Sequence, residues 1–181
     1  MPARWIAWSE VSHQFPAADA SQLIAMVERL LESAAMVESE SDYLRQQLAD
    51  MCGELGASGA GLFDRAPNWV VTAQTGRLNG NDVPKDVLAD VLDREAGVAT
   101  VLETPAGGSL VAVPVPGKAR SGSVLTFVGR HLAPEILPLA VVLGKTLGSC
   151  LEVLSDRSRA THRIESLRGI LKVSLTLSTV K

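Results

Sequence analysis

Apolar residues recur at three- and four-residue steps along "DASQLIAMVERLLESAAM" (19–36), where Leu23, Met26 or Val27, Leu30, Leu31 and Ala34 share one stripe. That spacing predicts an amphipathic helix, with Asp19 or Ser21 placed to cap its first turn. The stretch "SESDYLRQQLADMCGELG" (39–56) predicts a second helix, with Tyr43, Leu44, Leu48, Met51, Cys52 and Leu55 on one face and Gly56 as its stop. The pattern then shortens. "ASGAGLFDR" and "NWVVTAQTG" are small or β-branched and flank "APN", a turn signal, so they predict a hairpin. After the loop "RLNGND", Pro84 opens a third helix, "PKDVLADVLDREAG", with Val87, Leu88, Val91 and Leu92 inward and Gly97 at its end. "ATVLE" is a short strand. "GGSLVAVPVPG" and "SGSVLTFVGR" are two more, joined by "GKARSG". Pro114 and Pro116 cannot donate to a ladder, which places their strand partly at an edge or at a bulge.

The last element is the longest. From Pro134, apolar residues step through Leu139, Val142, Leu143, Leu147, Cys150, Leu151 and Leu154, give way to the polar "SDRSRATHR", and resume at Ile164, Leu167, Leu171 and Leu175. A helix that is apolar, then polar, then apolar predicts a connecting rod; a helix folded back on its own domain is the alternative. One heptad register runs through Leu147, Leu154, Thr161, Arg168 and Leu175, with Cys150, Arg157, Ile164, Leu171 and Ser178 beside it. A second, through Ala160 and Leu167, fits as well. Either makes a weak parallel two-helix seam, and Leu147, Leu151, Leu154, Ile164, Leu167 and Leu171 are its candidate residues. At the other end, Trp5, Ile6, Trp8, Val11 and Phe15 precede Pro16, which suggests a short strand or an arm docked on the body.

Composition narrows the field. At 181 residues and 46% apolar, the chain can build one ordinary domain plus additional helix. Three Trp, three Phe and one Tyr leave the core mainly aliphatic and supply few platforms for stacking bases. The net charge of −3 comes without a dense basic patch, so direct binding of nucleic acid is not expected. The two cysteines, Cys52 and Cys150, are far apart and near no histidine, which argues against a disulfide framework or a zinc site. The N-terminus is not a signal peptide, and no window reaches the roughly 18 apolar residues of a membrane helix. A soluble, cytoplasmic protein is expected.

The order helix, helix, hairpin, helix, hairpin, long exit helix resembles the GAF domain, a small-molecule sensing module. "GELGASGAGLFDR" looks like the GAF first helix entering its first strand. "GGSLVAVPVPGKARSGSVLTFVGR" looks like the central strand pair, and "HLAPEILPLAVVLGKTLGSCLE" like the closing helix. The resemblance spans about residues 22–153 and implies an α+β fold: an antiparallel sheet of five to six strands, helices on both faces and a long C-terminal helix. It divides the chain into an N-terminal arm (1–20), a GAF-like domain (21–154) and a connecting signalling helix (155–181). "IESLRGILKVSLTLSTV" resembles the helix entering a second GAF domain in tandem sensors, or the lead-in to the effector of bacterial enhancer-binding transcription activators. The implied function is a homodimeric bacterial sensor that passes a small-molecule signal to an effector domain further along the same chain; a ligand-free dimerisation module is the alternative.

The resemblance also says where a ligand would sit: between one sheet face and the third helix with its loop. Trp69, Val71, Ala73, Arg77, Asn81, Val87 and Val91 are the implied lining, with Arg77 the strong anion donor of that loop. The ligand's identity is unknown. The Asn-Lys-Phe-Asp-Glu signature of cyclic-nucleotide-binding relatives is absent, Cys52 and Cys150 fall on helix faces rather than in a bilin pocket, and His131 reads as a turn histidine rather than a haem ligand. GxSxG, GxxxxGK[ST] and HExxH are absent too. The glycines of "GASGAG" enter a strand instead of leading from a strand into a helix, so they cannot form a phosphate cradle. No enzymatic role is expected.

Overall fold

The computed structural model describes residues 4–7, 17–102, 108–117, 122–130 and 132–179, with side chains described from 20 to 168 within those ranges. Trp8, Val11, His13, Phe15, Pro16 and His131, and the side chains of Trp5, Ile6 and Leu171, lie outside them. In chain order the elements are β1 (Arg4–Ala7), α1 (Ala17–Met36), α2 (Glu40–Glu54), β2 (Gly59–Ala66), β3 (Asn68–Gly76), α3 (Lys85–Asp93), β4 (Ala96–Val101), β5 (Ser109–Val115), β6 (Ser123–Gly129) and α4 (Leu137–Thr179). The strands form one antiparallel sheet in the order β1-β4-β5-β6-β2-β3.

Alternation along the strands sorts the sheet into two faces. Leu62, Val111, Val113, Leu125 and Phe127 face α1, α2 and α4 and join Leu30, Tyr43, Leu48, Leu143 and Leu147 in the larger core. Phe63, Leu110, Ala112 and Val124 face the other way and pack beneath Leu88 and Val91 of α3. The hairpin of β2 and β3 turns at Pro67. It carries a bulge where Leu62 opposes Ala73 but Phe63 opposes Val71, leaving Thr72 as the extra residue. The Thr72 hydroxyl donates to Asp64 Oδ2 at 2.6 Å.

Three helices meet at one carbonyl. Tyr43 Oη of α2 donates to the Leu30 carbonyl of α1 at 3.1 Å, and Cys150 Sγ of α4 donates to the same oxygen at 3.7 Å. Burial pushes the ionisation of the Tyr43 phenol and of both thiols upward, so these groups stay protonated at neutral pH. Further along, Arg157 of α4 donates to the carbonyls of Ala35 and Val37 at 3.2 and 3.4 Å, satisfying the open end of α1. Contacts of Leu30 with Cys150 and of Ala35 with Arg157 make α1 and α4 parallel neighbours.

Helix α4 lies close against β5 and the residue that follows it. Gly144 and Gly148 lie one turn apart on one side of α4. A Cβ on Gly144 would stand 3.0 Å from Val113 Cγ2 and 3.1 Å from the Pro114 carbonyl, and one on Gly148 would run into the Pro116 carbonyl. From below, Gly97 of β4 leaves room for Val141 and Leu137: a Cβ there would be 2.9 Å from one and 3.0 Å from the other. Two glycines inside a helix cost about 1 kcal/mol each in propensity. Burial of Leu137, Val141, Leu143 and Leu147 contributes about 1.5–3 kcal/mol per side chain, so the close seat wins.

The structure corrects several sequence expectations. Helix α1 begins at Ala17, so Asp19 and Ser21 lie inside it rather than capping it. Leu31 points outward, because the inward stripe runs Met26, Leu30, Ala34. Helix α3 stops at Asp93, with Glu95 in the left-handed region at φ 49°, and Gly97 belongs to β4. Strand β5 is central over Ser109–Ala112, but its ladder with β4 ends there, so Pro114 meets only β6 and sits at a local edge, as expected. Finally, one stretch within Pro134–Arg168 is long and apolar enough to cross a membrane by length and composition, although 56% of that window is buried inside the domain.

Gly148→Ala is expected to destabilise the protein by roughly 2–3 kcal/mol, because backbone carbonyl cannot move aside as a side chain can. Gly53→Ala, on α2 with nothing within 4 Å of the new Cβ, is expected to stabilise it by about 0.5–1 kcal/mol. Urea unfolding of the two variants checks both signs.

Candidate functional site

The space between α3 and the sheet is occupied by the protein's own side chains. Leu88 and Val91 descend from α3 onto Phe63, Val98, Leu110, Ala112 and Val124, all buried. Pro84 precedes the helix and Arg94 ends it, its N–H bonded to Asp90 O, so nine residues present one apolar side to the sheet. Val91 is therefore core, while Trp69 and Val87 pack against the same cluster.

Two concavities flank this filled region. The first, about 470 Å³, runs along edge strand β3. Val71, Ala73 and Asn81 line it, with Ser41 and Arg45 of α2 on the opposite wall. The second, about 530 Å³, lies at the end of the sheet where β3, β4 and β6 finish. Arg77 stands on its rim, Leu78, Val83, Leu102 and Val128 form its apolar wall, and Asp82 and Arg130 complete the border. The residues expected to form one pocket are thus divided among a core and two cavities.

The loop carrying Arg77 is held at both ends. The Arg77 N–H donates to Ser58 O at 2.8 Å, the Asn79 side chain accepts from Asn81 N at 3.3 Å, and Asp82 N donates to Asn79 O at 2.9 Å. Arg130, which sequence reasoning missed, directly follows β6; a cation at a strand end was the available signal.

The candidate seam residues of α4 divide as well. Leu147, Leu151 and Leu154 lie in the core beneath α1 and α2 and are committed to the chain's own fold. Ile164 and Leu167 are 51% and 61% exposed, and Val153, not anticipated, is 55% exposed. On neighbouring α1, Ile24 and Leu31 are also exposed. Of the register through Leu147, Leu154 and Thr161, the two leucines are turned into the domain and Thr161 is exposed, while Val153, Ala160 and Leu167 of the other are all exposed. Among the described residues, no group of three His, Cys, Asp or Glu side chains comes together as a metal site.

No protein-family model matches the chain, and no curated protein does. Solved structures match its fold. The Nlh2 GAF domain of A. aeolicus in an inactive state superposes with a TM-score of 0.61 at 15% identity, covering 74% of this chain and 98% of that one. The GAF domain of a phosphoenolpyruvate-protein phosphotransferase from Coxiella burnetii gives 0.60 at 18% identity, over 79% and 99%. Free methionine-R-sulfoxide reductase from Neisseria meningitidis, in complex with its substrate, gives 0.63 at 18% identity, over 80% and 97%. The GAF fold extends over most of this chain. One of the similar structures is an enzyme.

Leu88→Ala removes the side chain at the centre of the filled space and is expected to cost about 2–5 kcal/mol. Xenon-contact NMR checks the packing directly: the variant should take up xenon between α3 and the sheet, and the parent protein should not.

Proposed function

We propose that the chain is a regulatory GAF module that dimerises and conveys its state along α4 to an effector domain further along the same polypeptide. The observation that carries this reading is the division of α4. Up to Leu154 the helix is built into the domain core; past Arg157, which still bonds the end of α1, it leaves the body, and Ile164 and Leu167 stand exposed. The helical stretch beyond the core extends roughly 37 Å at 1.5 Å per residue. Any change in how the domain seats α4 therefore shifts the far end of a rigid rod.

The partner in this reading is a second copy of the chain. Val153, Ala160 and Leu167 repeat at seven residues, with Ile164 beside them, a spacing suited to a parallel pair. The polar segment "SDRSRATHR" keeps that pair weak, so two staggers can lie within a few kcal/mol of each other, which a signalling rod requires. A small-molecule signal, transcription control as the output and a cytoplasmic location complete the proposal. They rest on the GAF fold and on the likeness of the tail to the lead-in of enhancer-binding activators.

The filled space beneath α3 favours a second reading, a scaffold that dimerises without a ligand in that space. The two readings share the rod and differ in whether anything moves it.

Replacing Ile164 and Leu167 together by Asp places four carboxylates in the seam and is expected to weaken dimerisation by roughly 100-fold or more. Light scattering coupled to size exclusion, over a range of concentrations, checks this. A parent protein that stays monomeric, or a double variant that stays dimeric, contradicts the rod as the interface.

A further inference from the structure

We propose that the cavity at the end of the sheet, bordered by Arg77 and Arg130, binds a small organic anion: an apolar body carrying a carboxylate or phosphate. The proposal deepens the sensor reading by naming a ligand class, and it rests on that reading only for the effect of binding on α4.

The frame comes first. Ser58 ties both rims together. Its carbonyl accepts from the Arg77 N–H at 2.8 Å, while its own N–H and hydroxyl donate to Val128 O at 2.8 and 3.0 Å, two residues before Arg130. Gly59 follows at once, and a Cβ there would stand 2.5 Å from the Leu78 nitrogen, so the loop lies directly on the start of β2. Both arginines therefore leave a backbone pinned to the same residue, and the cavity does not depend on a free-swinging loop.

The chemistry comes next. Among the described residues, two guanidiniums against one carboxylate, Asp82, give the cavity border a net positive charge. Among the described residues neither guanidinium has an ion-pair partner, whereas Arg29, Arg45, Arg65, Arg94 and Arg159 each have one. An arginine fork matches a carboxylate or phosphate in a bidentate manner. Behind the charges lie Leu78, Val83, Leu102 and Val128, an apolar wall continuous with the α3-side core. A volume of about 530 Å³ falls within the range typical of small-molecule sites. An inorganic ion would leave the apolar wall unused, and a neutral apolar molecule would leave the cations unused.

The test is a titration of the full chain, followed by amide chemical shifts, with benzoate and phenyl phosphate as charged probes and benzamide as the neutral counterpart. The expected result is saturable shifts at Leu78, Val83, Leu102 and Val128 with the charged probes, little with benzamide, and an affinity at least about tenfold weaker in R77Q/R130Q. Both substitutions are at exposed positions, so folding of the variant is expected to be retained. Absent shifts, shifts confined to another surface, or equal binding by R77Q/R130Q would overturn the site. The signals of Ile164 and Leu167 separate the two claims. Cavity shifts that never reach them support the site and count against signalling along α4. Absent shifts in a chain that still dimerises through α4 overturn the site alone.

Discussion

Everything in this fold that extends beyond a single sheet depends on how closely α4 lies on β5. Gly144 and Gly148 remove side chains where the Pro114 and Pro116 carbonyls would otherwise be struck, and Gly97 does the same beneath Leu137 and Val141. Helix propensity alone disfavours two glycines in that segment. They are tolerated because close packing lets neighbouring aliphatic side chains reach full burial, and that burial outweighs the propensity cost. With α4 seated there, α1 can run beside it, Tyr43 and Cys150 can share the Leu30 carbonyl, and Arg157 can reach the end of α1.

The same seat determines what is left free. Turning Leu147, Leu151 and Leu154 inward fixes the rotation of α4, so the residues facing away are Val153 and, past the body, Ile164 and Leu167. The helix runs unbroken from the core into its exposed stretch. The α3 side is filled by Phe63, Leu88 and Val91; the open concavities lie along β3 and at the end of the sheet, the second bordered by two arginines.

The sequence patterns disclosed the elements well and their relations less well. Helix α2, the β2–β3 hairpin and the β5–β6 pair follow from periodicity and turn residues, since these are local properties. Gly97 was misjudged because glycine signals both a helix stop and a close approach, and only the position of α4 distinguishes them. Pro114 suggested a strand partly at an edge, and although the strand is central, β4 ends its ladder at Ala112 and leaves the proline a local edge. The ligand residues scattered for a related reason. Position along a strand does not say how far a core extends, so Val91 proved to be packing while Arg77 proved to border a cavity. Arg130 had no local mark beyond its place at a strand end. The two heptad registers of α4 were equal in sequence; packing claims Leu147 and Leu154 for the domain, and beyond them both registers are exposed.

Cysteine scanning along α4 tests the central claim most directly. Single cysteines placed from 153 to 168 are oxidised, and disulfide-linked dimer is quantified at each position; Cys52 and Cys150 are buried and contribute little background. The account predicts crosslinking maxima at Val153, Ala160, Ile164 and Leu167, with minima at Leu154 and Thr161. A flat profile, or maxima at Leu154 and Thr161, would contradict it.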